Sequence, residues 1–216
     1  MGCGGSSPVD TKEPEPVIAP GPPRTVNDLD EIRKFKGLLR WNKNQEEINA
    51  YMIVPEAINC VDTQNGNCPI HIAAQNGHVN LIKSLVDKKV SLDVGNKKGN
   101  TALHMAIGYD YYYAAKFLID SGADQNAKNS SDACAINGLE NDRSLAGTAV
   151  VAATSVNDYI AALGMLKTTF PRGIKKETYI KCGLKMKKEN AADWKAKEVQ
   201  AMFAGILGDF DSPEAK

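Results

Sequence analysis

The residues with chemistry to offer are three histidines, five cysteines and a Gly-Cys pair behind the initiating methionine. His71 and His104 lie 33 positions apart, and His78 follows a glycine. A catalytic or metal-binding pair must converge on one point, whereas residues spaced by one repeat length stack in a row. The histidines therefore read as structural. Cys3, Cys60, Cys68, Cys134 and Cys182 are scattered, odd in number and without a CxxC pair. That usage argues for a reducing compartment and against a disulfide framework or a structural zinc site. No Ser-His-Asp set, Walker loop or HExxH helix is present, so the chain is not expected to be an enzyme or to need a cofactor.

The start, Met-Gly-Cys-Gly-Gly-Ser-Ser, carries a different chemistry. Once methionine is removed, Gly2 is placed for N-myristoylation with Ser6 at the favoured position, and Cys3 beside it for S-palmitoylation. One myristoyl chain binds a bilayer only reversibly, at about 10⁴ M⁻¹, so stable anchoring needs a second signal. The segment that follows has Asp10, Glu13 and Glu15 against Lys12 and Arg24, so it is not polybasic. Cys3 is the available second signal. Six prolines at positions 8, 14, 16, 20, 22 and 23, with little to bury, make residues 1–24 a disordered acylated tail. The chain has a formal net charge of zero and no apolar run of the roughly 20 residues that span a bilayer. A peripheral, lipid-anchored protein on the cytoplasmic side of a membrane is expected.

The elements that position the histidines emerge when the chain is laid against itself at a period of 33. Gly66-Asn67-Cys68-Pro69-Ile70-His71 matches Gly99-Asn100-Thr101-Ala102-Leu103-His104, then Asp132-Ala133-Cys134-Ala135-Ile136-Asn137. A second helical stretch follows the first two: Val79 to Val86, then Tyr112 to Ile119, closed by Gly122-Ala123-Asp124-Gln125-Asn126-Ala127. This pattern resembles the ankyrin repeat family. Upstream, Phe35 to Leu39 and Asn44 to Met52 fit a worn first repeat, and the pattern dissolves after Leu139. The expected fold is all-α: a short solenoid over 25–152 with two good repeats between degenerate ones. A small helical region over 153–210 and a frayed tail over 211–216 complete it.

The resemblance implies a threonine that caps each first helix, which Cys68 and Cys134 lack, and a turn glycine, present as Gly77 but replaced by Asp110 one repeat later. It also implies partner binding through loop tips and the exposed face of the first helices. Those positions are Gln64, Asn65 and Asn67; Lys97, Lys98 and Asn100; Asn129, Ser130 and Ser131; and, on the helix faces, Ile72, Gln75 and Asn76, then Met105, Gly108 and Tyr109. Tyr113 and Tyr109 either face a partner or pack on neighbouring helices. The tips are amide-rich and mildly basic, which suits an acidic or polar protein partner.

Between Lys167 and Lys197 ten basic residues, Lys175, Lys176, Lys185, Lys187 and Lys188 among them, outnumber three acidic ones. Such a patch suits an anionic leaflet, an acidic protein such as tubulin, or plain solvation. No nucleic-acid motif accompanies it, and no small-molecule substrate is indicated. The leading expectation is a membrane-anchored adaptor. The alternative is a structural component of a cytoskeletal assembly, such as an axoneme in a cilium or flagellum, with the basic helices docked on an acidic surface.

Overall fold

The computed structural model describes residues 29–140, 159–162 and 176–208. Among them the chain is helical, without a strand; one isolated bridge joins Lys128 and Cys134. The first hairpin pairs α1 (Leu29–Trp41) with α2 (Gln45–Met52), followed by the single turn α3 (Pro55–Ile58). The next two pair α4 (Pro69–Gln75) with α5 (Val79–Asp87) and α6 (Ala102–Gly108) with α7 (Tyr112–Asp120). A short 3-10 turn, Ala135–Asn137, stands where a third inner helix was due. The expected all-α ankyrin solenoid is the fold observed, with a worn first repeat and a truncated last one.

Local chemistry sets each boundary. α4 begins at Pro69, whose missing N–H costs nothing in the first turn and whose fixed φ suits a helix. Gly77 (φ 65°) turns the chain into α5, and a Cβ there would also lie 2.3 Å from the Tyr111 ring of the next repeat. Asp110 makes the equivalent turn at φ 57°, at the strain a non-glycine residue carries there. Leu81, Ile82 and Leu85 of α5 and Ala115 and Leu118 of α7 are buried at the spacing of one helix face. Alanines 73, 74 and 106 let the inner helices approach closely. Phe35 of α1 stacks on Tyr51 of α2 at 4.6 Å and closes the core at one end.

Helix capping explains a difference between the two good repeats. The His104 N–H reaches the Thr101 hydroxyl at 3.5 Å, but in α4 the His71 N–H meets the Cys68 carbonyl at 3.0 Å and has only a thiol sulfur, a weak acceptor, as its side-chain cap. Cys68→Thr is therefore expected to stabilise the chain by about 1 kcal/mol. A higher urea midpoint at unchanged slope checks it.

The C-terminal region forms α8 (Lys176–Glu189), the turn α9 (Ala191–Trp194) and α10 (Lys197–Gly208). Gly183 lets α8 meet Phe203 and Trp194, whose rings pack edge to face at 5.4 Å. No described helix is long and apolar enough to cross a membrane.

Candidate protein-binding site

Successive repeats are joined by tight loops that turn at Gly66 (φ 73°), Gly99 (φ 71°) and Asp132 (φ 58°). Each loop is held by a side-chain oxygen at its base. Asn96 Oδ1 accepts from the Lys98 and Asn100 N–H groups at 2.9 and 3.0 Å. Asn129 Oδ1 does the same for Ser131 and Ala133, at 2.9 and 3.0 Å. In the first loop Asp62 takes this place, accepting from the Gln64 N–H at 3.0 Å while paired with Lys36. That lysine and the loop N–H hold the Asp62 carboxyl below its ordinary value against the opposing effect of burial.

The loops are also tied to one another. The Lys97 N–H donates to the Asn65 carbonyl at 3.1 Å and the Ser130 N–H to that of Lys98 at 2.9 Å. Asn96 Nδ2 donates to Asn67 Oδ1 at 2.8 Å, and Asn129 Nδ2 to Asn100 Oδ1 at 2.7 Å. Beneath them, His71 Nε2 meets the Asn100 carbonyl at 2.8 Å and His104 Nε2 that of Ala133 at 3.0 Å. Nδ1 of each ring accepts the N–H three residues earlier, from Cys68 at 3.0 Å and Thr101 at 3.1 Å. The rings thus sit as neutral tautomers with Nε2–H donating, and burial pushes both pKa values down. They occupy equivalent layers, as the repeat spacing required.

This network corrects three assignments. Asn67, Asn100 and Asn129 are buried, and their amides form the ladder between repeats, so they are not tips for a partner to read. A solvated side chain at Asn129 would leave the Ser131 and Ala133 N–H groups unsatisfied, and one at Asn67 or Asn100 the amide of the next repeat. Ile72 and Met105 of the inner helices are buried as well. What remains exposed is one row: Gln64 and Asn65, Lys97 and Lys98, Ser130 and Ser131. Lys97 Nζ reaches back to the Thr63 carbonyl at 2.6 Å, which orders its stem. On the inner helices Gln75 Nε2 donates to the Tyr109 hydroxyl at 2.9 Å, and Tyr109 is 38% exposed.

The other ends of the inner helices are occupied by α8 and α9. Lys188 Nζ donates to the Asn76 carbonyl at 2.8 Å, and Lys185 Nζ to that of Tyr109 at 2.7 Å. These carbonyls end α4 and α6, where helix dipoles favour a cation. Both ammonium groups also lie over the Tyr111 ring, at 5.4 and 5.5 Å from its centroid. Glu189 Oε1 accepts the Ala114 N–H at 2.8 Å, in the first turn of α7, where an anion is favoured. The Tyr113 hydroxyl donates to Asp193 Oδ2 at 2.8 Å, and Tyr112 stacks on Tyr159 at 4.1 Å.

Asn76 and Tyr113 are thus engaged within the chain and are not free for a partner. Lys185 and Lys188 likewise hold the chain to itself, because lysine finds a better acceptor in a helix-end carbonyl than in water. Lys187 is exposed. Gly2, Cys3 and Lys175, and the side chain of Lys176, lie outside the described residues.

Sequence reasoning missed Glu189, a lone acid ending a lysine-rich helix, and its Tyr111 and Asp193 neighbours. Glu189 is half-buried as a residue, but Oε2 is sealed from solvent without a hydrogen-bond partner. Burial pushes its pKa up to about 8, against the opposing pull of two backbone N–H groups and the two lysines. Burial also pushes the Cys60 thiol up to about 11 and Cys182 to about 12, so neither is a ready nucleophile.

A family model described as ankyrin repeats (three copies) matches residues 39–129. The probable 26S proteasome regulatory subunit p28 of Saccharomyces cerevisiae is 31% identical over 98 residues, 42% of this chain and 43% of that one. Alpha-latroinsectotoxin-Lt1a of Latrodectus tredecimguttatus is 38% identical over 69 residues, 32% of this chain and 5% of the toxin. The ankyrin repeat domain of Bcl-3 is similar in structure at 22% identity and a TM-score of 0.44, over 47% of this chain and 44% of that one. The chain spans less than half the length of these relatives. Residues 39–129 are similar to ankyrin repeats, and they fold as the stacked helical hairpins of that architecture.

Proposed function

We propose that the chain is an adaptor, held at the cytoplasmic side of a membrane by acyl chains on Gly2 and Cys3, that captures a protein through its loop tips. The observation that carries the binding part is the exposed row of Gln64, Asn65, Lys97, Lys98, Ser130 and Ser131, fixed by the ladder beneath. A preorganised row with two lysines at its centre favours an acidic or polar protein surface, because little ordering entropy is lost on binding. The Gly-Cys start supports the anchor.

Affinity capture from cells tests the binding. Lys97→Glu with Lys98→Glu is expected to weaken recovery of the partner tenfold or more, an order-of-magnitude figure for reversing two interface charges. Thermal stability should change little, since both side chains are exposed and only the Lys97 bond to the Thr63 carbonyl is lost. Undiminished recovery would place the partner elsewhere. Fractionation with a high-salt wash, which removes contacts made by charge, tests the anchor: Gly2→Ala should move the chain from the washed membranes to the soluble fraction.

The cytoskeletal reading has Lys181, Lys187, Lys195 and Lys197 exposed in its favour. Retention of the Gly2→Ala chain with the detergent-resistant cytoskeleton would select it.

A further inference from the structure

The outer face of α8 has a composition that the interaction with the solenoid does not use. Tyr179, Cys182 and Met186 are buried on one side of this helix. Glu177, Ile180, Lys181, Leu184 and Lys187 are exposed on the other, and Lys188 at its edge is bonded to the solenoid. At about 100° per residue they fall within about 60° of Leu184, and the buried set lies diametrically opposite. Ile180 and Leu184, four apart and therefore adjacent on the surface, are 40% and 61% exposed. Lys181 and Lys187 flank them on either side, and Glu177, two turns toward the start of the helix, offsets part of their charge.

We infer that this face seats on the headgroup region of an anionic lipid bilayer, with Ile180 and Leu184 entering the acyl boundary. Lysine stems lie along apolar surface while their ammonium groups stay at the phosphate level, so an apolar centre with basic flanks matches a lipid interface. An acidic protein tail would answer the charge but offers no apolar surface to cover the two aliphatic side chains. The position fits as well. α8 lies at the ends of α4 and α6 that carry Asn76 and Tyr109, one inner-helix length from the loops that begin those helices. Lipid on that edge leaves the exposed row of loop side chains accessible to a partner.

This contact is independent of the acyl chains proposed above, and its test uses a chain that cannot carry them. Full-length Gly2→Ala protein is sedimented with vesicles of phosphatidylcholine alone or with one part in three phosphatidylserine. Binding is expected to the second and not the first, and to weaken with added salt. Lys181→Gln with Lys187→Gln should lower partitioning about fivefold for each lysine. Leu184→Gln or Ile180→Gln, at unchanged charge, should each lower it about fivefold or more. Circular dichroism and melting that match the parent show that each exposed-site variant is folded.

Absence of sedimentation with the anionic vesicles overturns the inference. So does binding that ignores both aliphatic substitutions, or that excess polyglutamate abolishes equally for the parent and Leu184→Gln, since either result means charge attraction alone. A chain that fails here but leaves cell membranes on Gly2→Ala keeps the anchor and loses only this surface.

Discussion

His104→Ala is expected to destabilise the repeats by about 3–5 kcal/mol, a large share of the roughly 5–15 kcal/mol that holds a domain together. The imidazole is fully buried and bridges two elements. Nδ1 satisfies the Thr101 N–H at 3.1 Å and Nε2 the Ala133 carbonyl at 3.0 Å. Alanine leaves the Thr101 N–H buried and unpaired, at about 1–3 kcal/mol, takes one of two donors from the Ala133 carbonyl, which keeps the Asn129 N–H at 3.0 Å, and adds a cavity. The effect should be directional. Amide protection in the 129–137 segment should vanish first, because that segment is tied to the stack through Ala133 and Asn129. Gln64→Ala, at an exposed tip, should change the urea midpoint little. Equal midpoints for His104→Ala and the parent would contradict the layered arrangement.

The second large effect is a pH dependence with opposite signs in the two halves of the chain. Glu189 has its pKa raised from 4.5 to about 8 by burial. The native state therefore holds a proton that the unfolded chain has released, and the stability this provides is present below 4.5 and lost as pH rises through about 8. Over that window docking of α8 should weaken by about 1.36 kcal/mol per pH unit, as an upper bound. Lys185, Lys188, Tyr113 and Asp193 face the same site. Glu189→Gln keeps an oxygen for the Ala114 N–H and removes the titration, so docking should strengthen at pH 8 and lose its slope. Trp194 fluorescence in a Trp41→Phe background reports on the docked helices. Docking that tightens between pH 5 and pH 8 would contradict this assignment. His71 and His104, with pKa values lowered by burial, act in reverse: their contribution is present above the ordinary 6.5 and disappears as pH falls. Acid should loosen the repeats, and alkali the C-terminal helices.

The repeats were legible because their chemistry recurs. Gly66 and Gly99, His71 and His104, and the apolar stripe of α5 echoed in α7 each return after 33 residues. The same rule, applied to the loops, separates structure from surface. Asn67 recurs as Asn100, and Asn96 as Asn129, and all four lie in the ladder. Gln64, by contrast, becomes Lys97 and then Ser130, and these are exposed. A residue type that returns with the period is holding the period together; one that changes faces water. Composition alone hid this, because amide-rich loops look solvated. The docking of α8 was illegible for another reason. A lysine bonded to a helix-end carbonyl is the same letter as one in solvent, and its partners, Asn76 and Tyr109, lie more than 70 residues away in sequence.

Asn129 donates both to Asn100 below it and, at 2.7 Å, to the carbonyl of Leu139, while the Leu139 side chain crosses the end of α6 at Gly108. The amide that would greet a fourth storey is already answered by its own backbone. Among the described residues the ladder of paired amides ends on this rung. Among the described residues the exposed row is therefore three loops long, its last loop held from inside by the side chain that a further repeat would otherwise have to satisfy.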